Sequence, residues 1–208
     1  MRFLVAKEPL WRILRWTRRL LFVCGVSLLA YCGFVLLDAW NFQRGERRQF
    51  ERLLTNSPEA RGAVRQTASS TSSRALPLAA GLIGRLEIPR LGLSAILMEG
   101  TTAKTLRRAV GHIAGTALPG LPGNVGVSGH RDTFFRSLRN IRENDIITLT
   151  TVNGEYRYRV VFTQVVRPEN VAVLKPTGTE VLTLVTCFPF YFVGPAPYRF
   201  IVRAERAG

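Results

Sequence analysis

The sequence predicts an all-β domain, folded as a closed barrel or a sandwich, that follows one membrane-spanning helix near the N-terminus. Three observations support this prediction. Residues 20–37 form an apolar run without a single charged side chain. From Gly84 onward, short β-branched and aromatic runs alternate with Gly, Pro, Asn and Asp. In that part of the chain, only residues 102–110 show convincing helical spacing, with Thr101 or Thr102 as N-cap.

The apolar run is long enough to cross a bilayer. As an α-helix it measures about 27 Å, close to the roughly 30 Å hydrocarbon core, and residues up to 40 extend it. Interfacial and basic residues flank it: Trp11, Arg12, Arg15, Trp16, Arg18, Arg19 and Trp40. Short basic N-terminal segments stay in the cytoplasm. We therefore expect a cytoplasmic tail at 1–19, a transmembrane helix at 20–40 and the rest outside.

Three other interpretations of this segment are weaker. A cleaved signal peptide needs a small-x-small site, and no Ala-x-Ala pattern closes the run. A lipoprotein cleavage site before Cys32 would need a small residue in place of Tyr31. Arg18 and Arg19 loosely match a twin-arginine export signal, but arginine pairs beside a membrane span are common. An uncleaved anchor is the prediction.

The segment at 41–80 is predicted to contain a juxtamembrane helix followed by a flexible tether. Residues 38–54 can continue as a polar helix, and residues 56–80 have the Ser, Thr, Ala and Pro composition of a linker. The folded domain then occupies 81–208. Its predicted strands are 85–88, 94–98, 124–127, 146–151, 156–162, 181–186 and 199–203, with a hairpin turn at Asn153-Gly154.

Composition limits the classes of function. The chain has 208 residues, with Lys+Arg 29 against Asp+Glu 14 and a net charge of +15, which suggests anionic partners. No nucleic-acid-binding motif accompanies this charge, so we expect no nucleic acid partner. Three cysteines exclude a disulfide-stapled scaffold, and two histidines leave few ligands for zinc. We expect no metal and no cofactor.

The third cysteine is the strongest indication of chemistry. Cys24 and Cys32 lie in the apolar run and are too far apart along a helix to pair. Cys187 is therefore the one thiol of the predicted extracytoplasmic domain, where an unpaired thiol is exposed to oxidation. A buried hydrophobic role at a strand end is the alternative to catalysis.

Two further residues can complete a thiol site. Arg199 opens the next strand pattern and lies beside Cys187 if the two strands pair antiparallel, where a guanidinium can stabilise an oxyanion; the alternative is an arginine in solvent. His130, in Ser-Gly-His-Arg-Asp, can supply the acid and base of acyl transfer. The rival histidine, His112, follows the predicted helix and is expected to be structural.

These residues together resemble the sortases. Thr-Leu-Val-Thr-Cys at 183–187 is similar to the family's TLxTC motif, and the upstream Gly-His-Arg and downstream arginine have the matching order. Phe134-Phe135 and Gly-Pro-Ala-Pro at 194–197 resemble the class D sortases most. The resemblance covers residues 84–204. It implies a closed eight-stranded β-barrel with one or two short helices, and transpeptidation on secreted proteins with LPxTG-like C-terminal sorting signals.

The resemblance also implies roles for the site residues. Cys187 would be the nucleophile, His130 the general acid and base, and Arg199 the oxyanion and substrate-binding residue. Thr186 would add a substrate-binding hydroxyl at the oxyanion site. The implied partners are secreted proteins with a sorting signal, an amine acceptor of the cell envelope, and membrane lipid through the N-terminal helix.

Two other functions compete with this one. A cell-wall cysteine peptidase of papain type usually places cysteine before histidine, with the thiol at a helix N-terminus, whereas here Cys187 follows His130 and closes a strand. A membrane-tethered basic module that binds anionic envelope polymer would explain the charge, but not the unpaired thiol.

Overall fold

The computed structural model describes residues 7–55 and 81–207. The chain divides into two compact units between Asn41 and Phe42. The flexible tether predicted at 56–80 lies outside the described residues, so its prediction remains untested.

The first unit belongs to a long helix, α1 (Lys7–Thr55). Within α1, Leu14–Phe34 is the one segment of the described chain that is long and apolar enough to cross a membrane. Its large side chains are exposed in the isolated protein, Phe22 to 72% and Leu29 to 73%. Such a continuous apolar surface is stable in a bilayer and not in water. The segment overlaps the transmembrane helix predicted at 20–40.

The end of α1 that belongs to the second unit contacts the folded domain. The ring of Phe42 packs against a small apolar cluster of Leu82, Ile96 and Ala109. The Gln43 side chain accepts a hydrogen bond from the backbone N–H of Ile96 at 3.1 Å and donates one to the carbonyl of Arg108. Helix α1 runs through the residues 38–54 where the sequence predicts a polar helix, and Phe42 and Gln43 pack on the domain.

The domain is a closed barrel, which confirms the predicted fold. The strands in barrel order are β1, β2, β3, β4, β7, β8, β6 and β5. Neighbours pair antiparallel except β2 with β3 and β4 with β7, which pair parallel. The strand bounds are β1 (Leu82–Ile88), β2 (Leu93–Glu99), β3 (Val110–His112), β4 (Gly123–Ser128), β5 (Ile146–Thr151), β6 (Gly154–Val166), β7 (Glu180–Phe188) and β8 (Tyr198–Arg206).

Alternation of side chains decides which residues fill the barrel. On β7, Leu182 and Leu184 are fully buried members of the core cluster. Because successive side chains of a strand point to opposite faces, Thr183, Val185 and Cys187 lie on the outer face. The outer face of β7 therefore presents Cys187, and the inner face contributes to the core beneath it.

Short helices cover the connections. Helix α2 (Ala103–Arg108) is capped by the Thr102 side chain, which accepts a hydrogen bond from Thr105 N–H at 3.2 Å. The helix predicted at 102–110 ends early, because Val110 pairs with Leu97 as the first residue of β3. In the described residues, one 3₁₀ helix precedes α2 (Pro89–Leu91) and two follow it (Arg136–Asn140 and Val171–Leu174).

One ion pair ties the turn after β1 to the start of β5. The Arg90 guanidinium donates to both carboxylate oxygens of Asp145, and to the carbonyl of Asn140 at 2.7 Å. The backbone N–H of Arg142 donates to the same carboxylate at 2.8 Å. Hydrogen bonding from Arg90, opposed by desolvation, lowers the pKa of Asp145.

Candidate active site

Cys187 and Arg199 face each other across the β7–β8 pair. The antiparallel register places them directly opposite, one pair before Phe188 and Tyr198 close the ladder. Directly opposed residues of an antiparallel pair have side chains on the same face. The thiol of Cys187 is half-buried and not part of a disulfide. A nucleophilic group and a cationic group therefore occupy one end of the outer face.

The parallel pairing of β4 with β7 brings the segment of His130 beside β7. The last pair of this register is Ser128 with Val185, where β4 ends. His130 follows Ser128 by two residues, as Cys187 follows Val185 by two. The backbone N–H of Gly129 continues the ladder by donating to the carbonyl of Val185 at 3.2 Å. The three residues thus lie on neighbouring strand lines, with the cysteine in the middle.

Packing fixes the backbone just before His130. A Cβ atom on Gly129 would lie 2.7 Å from the ring of Phe135, so the ring rests directly on this glycine. Phe135 is fully buried, and its N–H donates to the carbonyl of His130 at 3.0 Å. The histidine segment is therefore held to the barrel core on one side and to β7 on the other.

Thr186, predicted to bind substrate, is buried beside the segment of His130. Its side chain is 2% exposed, and its hydroxyl donates to the carbonyl of Gly129 at 2.7 Å. An oxyanion needs a hydrogen-bond donor, and the hydroxyl hydrogen of Thr186 is already used. The side chain alternates inward, away from the face of Cys187. Thr186 therefore contacts the histidine segment, and its predicted substrate-binding role stays a prediction.

The Arg199 guanidinium lies against the end of the β7–β8 connection that leads into β8. Its Nη1 donates to the carbonyl oxygens of Ala196 at 3.1 Å and Tyr198 at 2.9 Å. A guanidinium has five N–H donors on three nitrogens. Among the described residues, Nε and Nη2 of Arg199 donate no hydrogen bond.

The β6–β7 connection covers the outer face below Cys187. A Cβ on Gly126 would lie 3.1 Å from Leu174 and 3.2 Å from Ile113, so both side chains lie over β4 at this point. The Asn124 amide donates to the carbonyls of Val173 at 2.9 Å and Lys175 at 3.3 Å. These contacts form a wall beside the strand that leads to the cysteine.

A cavity of about 440 Å³ lies on the other side of this wall, along β6 and β8. Its lining includes the guanidinium of Arg203, which donates to the carbonyl of Val173 at 3.1 Å and to the hydroxyl of Thr183 at 3.0 Å. Burial lowers the pKa of Arg203. The cavity also contacts Phe162, Gln164, Asn170 and Ile201.

His112 is a structural histidine, as the sequence predicts. It is 3% exposed, and its Nδ1 contacts the Glu99 carboxylate at 2.8 Å. Its Nε2 donates to the carbonyl of Ala117 at 3.0 Å and contacts the hydroxyl of Thr116 at 3.0 Å. Nδ1 thus contacts the end of β2 and Nε2 the loop after β3, so both ring nitrogens have partners within the domain.

The sequence did not assign a role to Arg131. Its guanidinium donates to three backbone carbonyls of the β7–β8 connection, those of Pro189, Phe192 and Gly194. The only sequence signal was its place beside His130. Among the residues that the structure describes, no group of three His, Cys, Asp or Glu side chains is placed to hold a metal ion.

Comparison with known proteins identifies the family. A sortase domain model matches residues 86–207. Sortase D of Bacillus subtilis (strain 168) is 30% identical over 185 residues, which is 88% of this chain and 93% of that protein. The chain belongs to the sortase family. The resemblance predicted from the motifs is confirmed, and a papain-type peptidase and a non-catalytic basic module are excluded.

Solved sortases share the barrel. Sortase A from Corynebacterium diphtheriae is 26% identical, with a TM-score of 0.59 over 82% of this chain and 84% of that one. The Sortase D5 transpeptidase of Clostridium perfringens, 24% identical, matches in fold with a TM-score of 0.64 over 81% of this chain and 99% of that one. Sortases are membrane-associated cysteine transpeptidases, and the exposed apolar segment of α1 is compatible with an anchor.

Proposed function

We propose that this sortase cleaves an LPxTG-like C-terminal sorting signal of secreted proteins. It then transfers the acyl group to an amine of the cell envelope. One observation carries the proposal: Cys187 lies opposite Arg199 on β8, and β4, which pairs with β7 on its other side, ends two residues before His130. This arrangement brings a nucleophile, an oxyanion donor and an acid–base group to one end of one face.

The first half of the proposed reaction forms a thioester. The Cys187 sulfur, as thiolate, attacks the carbonyl carbon of the scissile peptide bond, and the carbonyl electrons move to oxygen. The remaining N–H groups of Arg199 stabilise this oxyanion. When the tetrahedral intermediate collapses, the C–N bond breaks and His130 donates a proton to the departing amine.

The second half transfers the acyl group. An incoming amine attacks the thioester carbonyl while His130 accepts its proton. The C–S bond then breaks and the thiolate of Cys187 is regenerated. Arg199 stabilises the oxyanion again, so one cation serves both half-reactions. The proposed substrate-binding residue is Arg199, and Thr186 is proposed instead to position the histidine segment.

The proposed topology keeps the boundaries predicted from the sequence. A basic cytoplasmic tail at 1–19 precedes a transmembrane helix at 20–40, a juxtamembrane helix and tether at 41–80, and an extracytoplasmic sortase domain at 81–208. The arginines before the apolar segment support this orientation. Protease added outside intact cells should digest the domain while an N-terminal epitope stays protected. Digestion of the epitope instead would reverse the orientation.

The function is tested with full-length protein in detergent micelles and fluorogenic peptides that carry Leu-Pro-x-Thr-Gly with x varied. Mass spectrometry should show a peptide thioester on Cys187 that hydroxylamine removes. Cys187→Ala and His130→Ala should abolish cleavage, whereas Cys24→Ser and His112→Ala should keep most of it. Full activity of the Cys187→Ala protein would overturn the proposal.

A further inference from the structure

The β7–β8 connection, residues 189–197, joins the strand of Cys187 to the strand of Arg199. Much of it is exposed, with Tyr191 at 77% and Val193 at 95%. An exposed connection samples many conformations unless specific contacts hold its backbone. The loop begins two residues after Cys187 and ends two residues before Arg199, so whatever orders this loop also affects the site.

Arg131 provides such contacts. Its Nη1 donates to the carbonyl oxygen of Pro189 at 3.0 Å, and its Nη2 donates to those of Phe192 at 2.6 Å and Gly194 at 3.0 Å. The guanidinium carbon also lies 5.9 Å from the centroid of the Phe192 ring. Hydrogen bonds from a charged donor are stronger than those between neutral groups. One side chain therefore fixes three points of the loop backbone.

The contacts require the shape of arginine. Two different nitrogens of one planar group reach carbonyls that are several residues apart in the loop. A lysine ammonium is a single point charge with three donors on one nitrogen, so it can reach only part of this set. Glutamine has one donor nitrogen and no charge. The three residues thus form a graded series for testing.

Arg131 and Arg199 hold opposite halves of the same loop. Arg131 binds carbonyls up to Gly194, and Arg199 binds those of Ala196 and Tyr198. If the first half moves, the backbone carbonyls against the Arg199 guanidinium move with it. The position of the oxyanion donor is therefore coupled to the contacts of Arg131.

Arg131 is also the residue after His130. The residue before it, Gly129, is held to β7 through the carbonyl of Val185 and the hydroxyl of Thr186. The histidine thus lies between two attachment points, one on strand β7 and one on the loop that leaves β7. Loss of the second point frees one side of the histidine backbone.

We propose that Arg131 is a positioning residue for the transpeptidation. It fixes the β7–β8 loop so that His130 and Arg199 keep their places on either side of Cys187. The inference rests on the proposed function of these three residues. Arg131 itself does not touch the reacting atoms, so its removal should affect catalysis through geometry.

The expected signature is a fall in kcat. Misplacement of catalytic groups by about 1 Å can cost ~10²-fold in rate, so Arg131→Gln should lower kcat by about 10- to 100-fold. The KM for the sorting-signal peptide should change by less than about threefold, because a positioning residue contributes mainly to the transition state. The kcat of Arg131→Lys should lie between those of the wild type and Arg131→Gln.

The experiment compares the wild type, Arg131→Lys and Arg131→Gln as full-length proteins in detergent micelles, with the same Leu-Pro-x-Thr-Gly peptides. The matched control is Arg136→Gln, because Arg136 is an exposed arginine in the 3₁₀ helix Arg136–Asn140. This control should keep wild-type kinetics. Chymotrypsin cleavage at Tyr191 and Phe192 should be faster in Arg131→Gln than in the control. The thermal midpoint should fall by no more than about 4 °C.

Each result decides the question. A kcat of Arg131→Gln within about twofold of the wild type, a rise confined to KM, or unchanged cleavage of the loop overturns the positioning role. A wild-type protein that forms no thioester overturns the proposed function and the positioning role with it. An active wild type with an unaffected Arg131→Gln variant overturns the positioning role alone.

Discussion

The hydroxyl of Thr186 donates a hydrogen bond to the carbonyl oxygen of Gly129 at 2.7 Å, inside the barrel. The two residues are the neighbours of Cys187 and His130 along the chain. The bond therefore connects the strand of the proposed nucleophile to the backbone of the proposed acid–base residue. Both atoms are buried, so water cannot replace either partner.

Thr186→Val should slow catalysis and lower stability. The substitution keeps the shape of the side chain but leaves the buried carbonyl of Gly129 unsatisfied, which costs about 1–3 kcal/mol. We expect a lower kcat and a lower urea midpoint, whereas Thr186→Ser should restore both because it keeps the hydroxyl. If Val and Ser variants have equal kcat, the bond does not hold the histidine segment. Steady-state kinetics and urea unfolding measure the two effects.

Gly129→Ala should destabilise the domain through one contact. The added methyl group would lie 2.7 Å from the Phe135 ring, which is fully buried and has little room to move. Overpacking of this kind costs about 1–3 kcal/mol. Gly129→Ala should therefore lower the free energy of unfolding less in a Phe135→Leu protein than in the wild type. Additive losses in urea unfolding would contradict the contact as the cause.

Arg199→Lys should lower the rate of thioester formation severely. Nη1 of Arg199 is used by the loop carbonyls, and an ammonium has no second nitrogen to offer an oxyanion. Loss of one such donor typically costs ~10²–10³ in rate. Arg159→Lys, on the exposed face of β6, is the matched control and should keep its activity. Single-turnover kinetics measure this step, and a Lys variant within about threefold of wild type would argue against the role.

Asp145 should make the stability of the domain depend on pH. Its pKa lies below the ordinary value of about 3.9, mainly because Arg90 hydrogen-bonds its carboxylate. The stabilisation is therefore fully present above about pH 5 and is lost as pH falls through the lowered pKa of the folded state. Asp145→Asn should be less stable than wild type at pH 7, and the difference should shrink toward pH 3.

Thermal unfolding across this pH range tests the ion pair. Asp132→Asn, in an exposed part of the loop after β4, is the matched control and should follow the wild-type curve. A difference between Asp145→Asn and wild type that stays constant down to pH 3 would mean that the ion pair with Arg90 is not its source.

The sequence predicted the part of the fold that local patterns encode. Alternation and β-branching located the long strands. Cys187 and Arg199 are close enough in sequence for a hairpin, which implies that their strands pair. The sequence analysis missed β3, because Val110–His112 has only three residues and comes directly after a segment with helical spacing. Such a short strand exists through its neighbours β2 and β4, which lie elsewhere in the sequence.

The contacts of Thr186 and Arg131 could not be predicted for a related reason. The motif places Thr186 beside Cys187, but strand alternation turns its side chain inward to Gly129, far away in sequence. Arg131 binds carbonyls some sixty residues downstream. Every residue has a backbone carbonyl, so no sequence pattern shows which carbonyls accept a hydrogen bond from a distant side chain.

The parallel register of β4 on β7 separates positions where the chain tolerates length changes from positions where it does not. One residue inserted between Asn124 and Ser128 would turn the later side chains of β4 to the opposite face, since a strand alternates at every step. An insertion among residues 175–179, outside every strand, would leave that register intact. The β6–β7 connection can therefore change in length without shifting the end of β4 along β7.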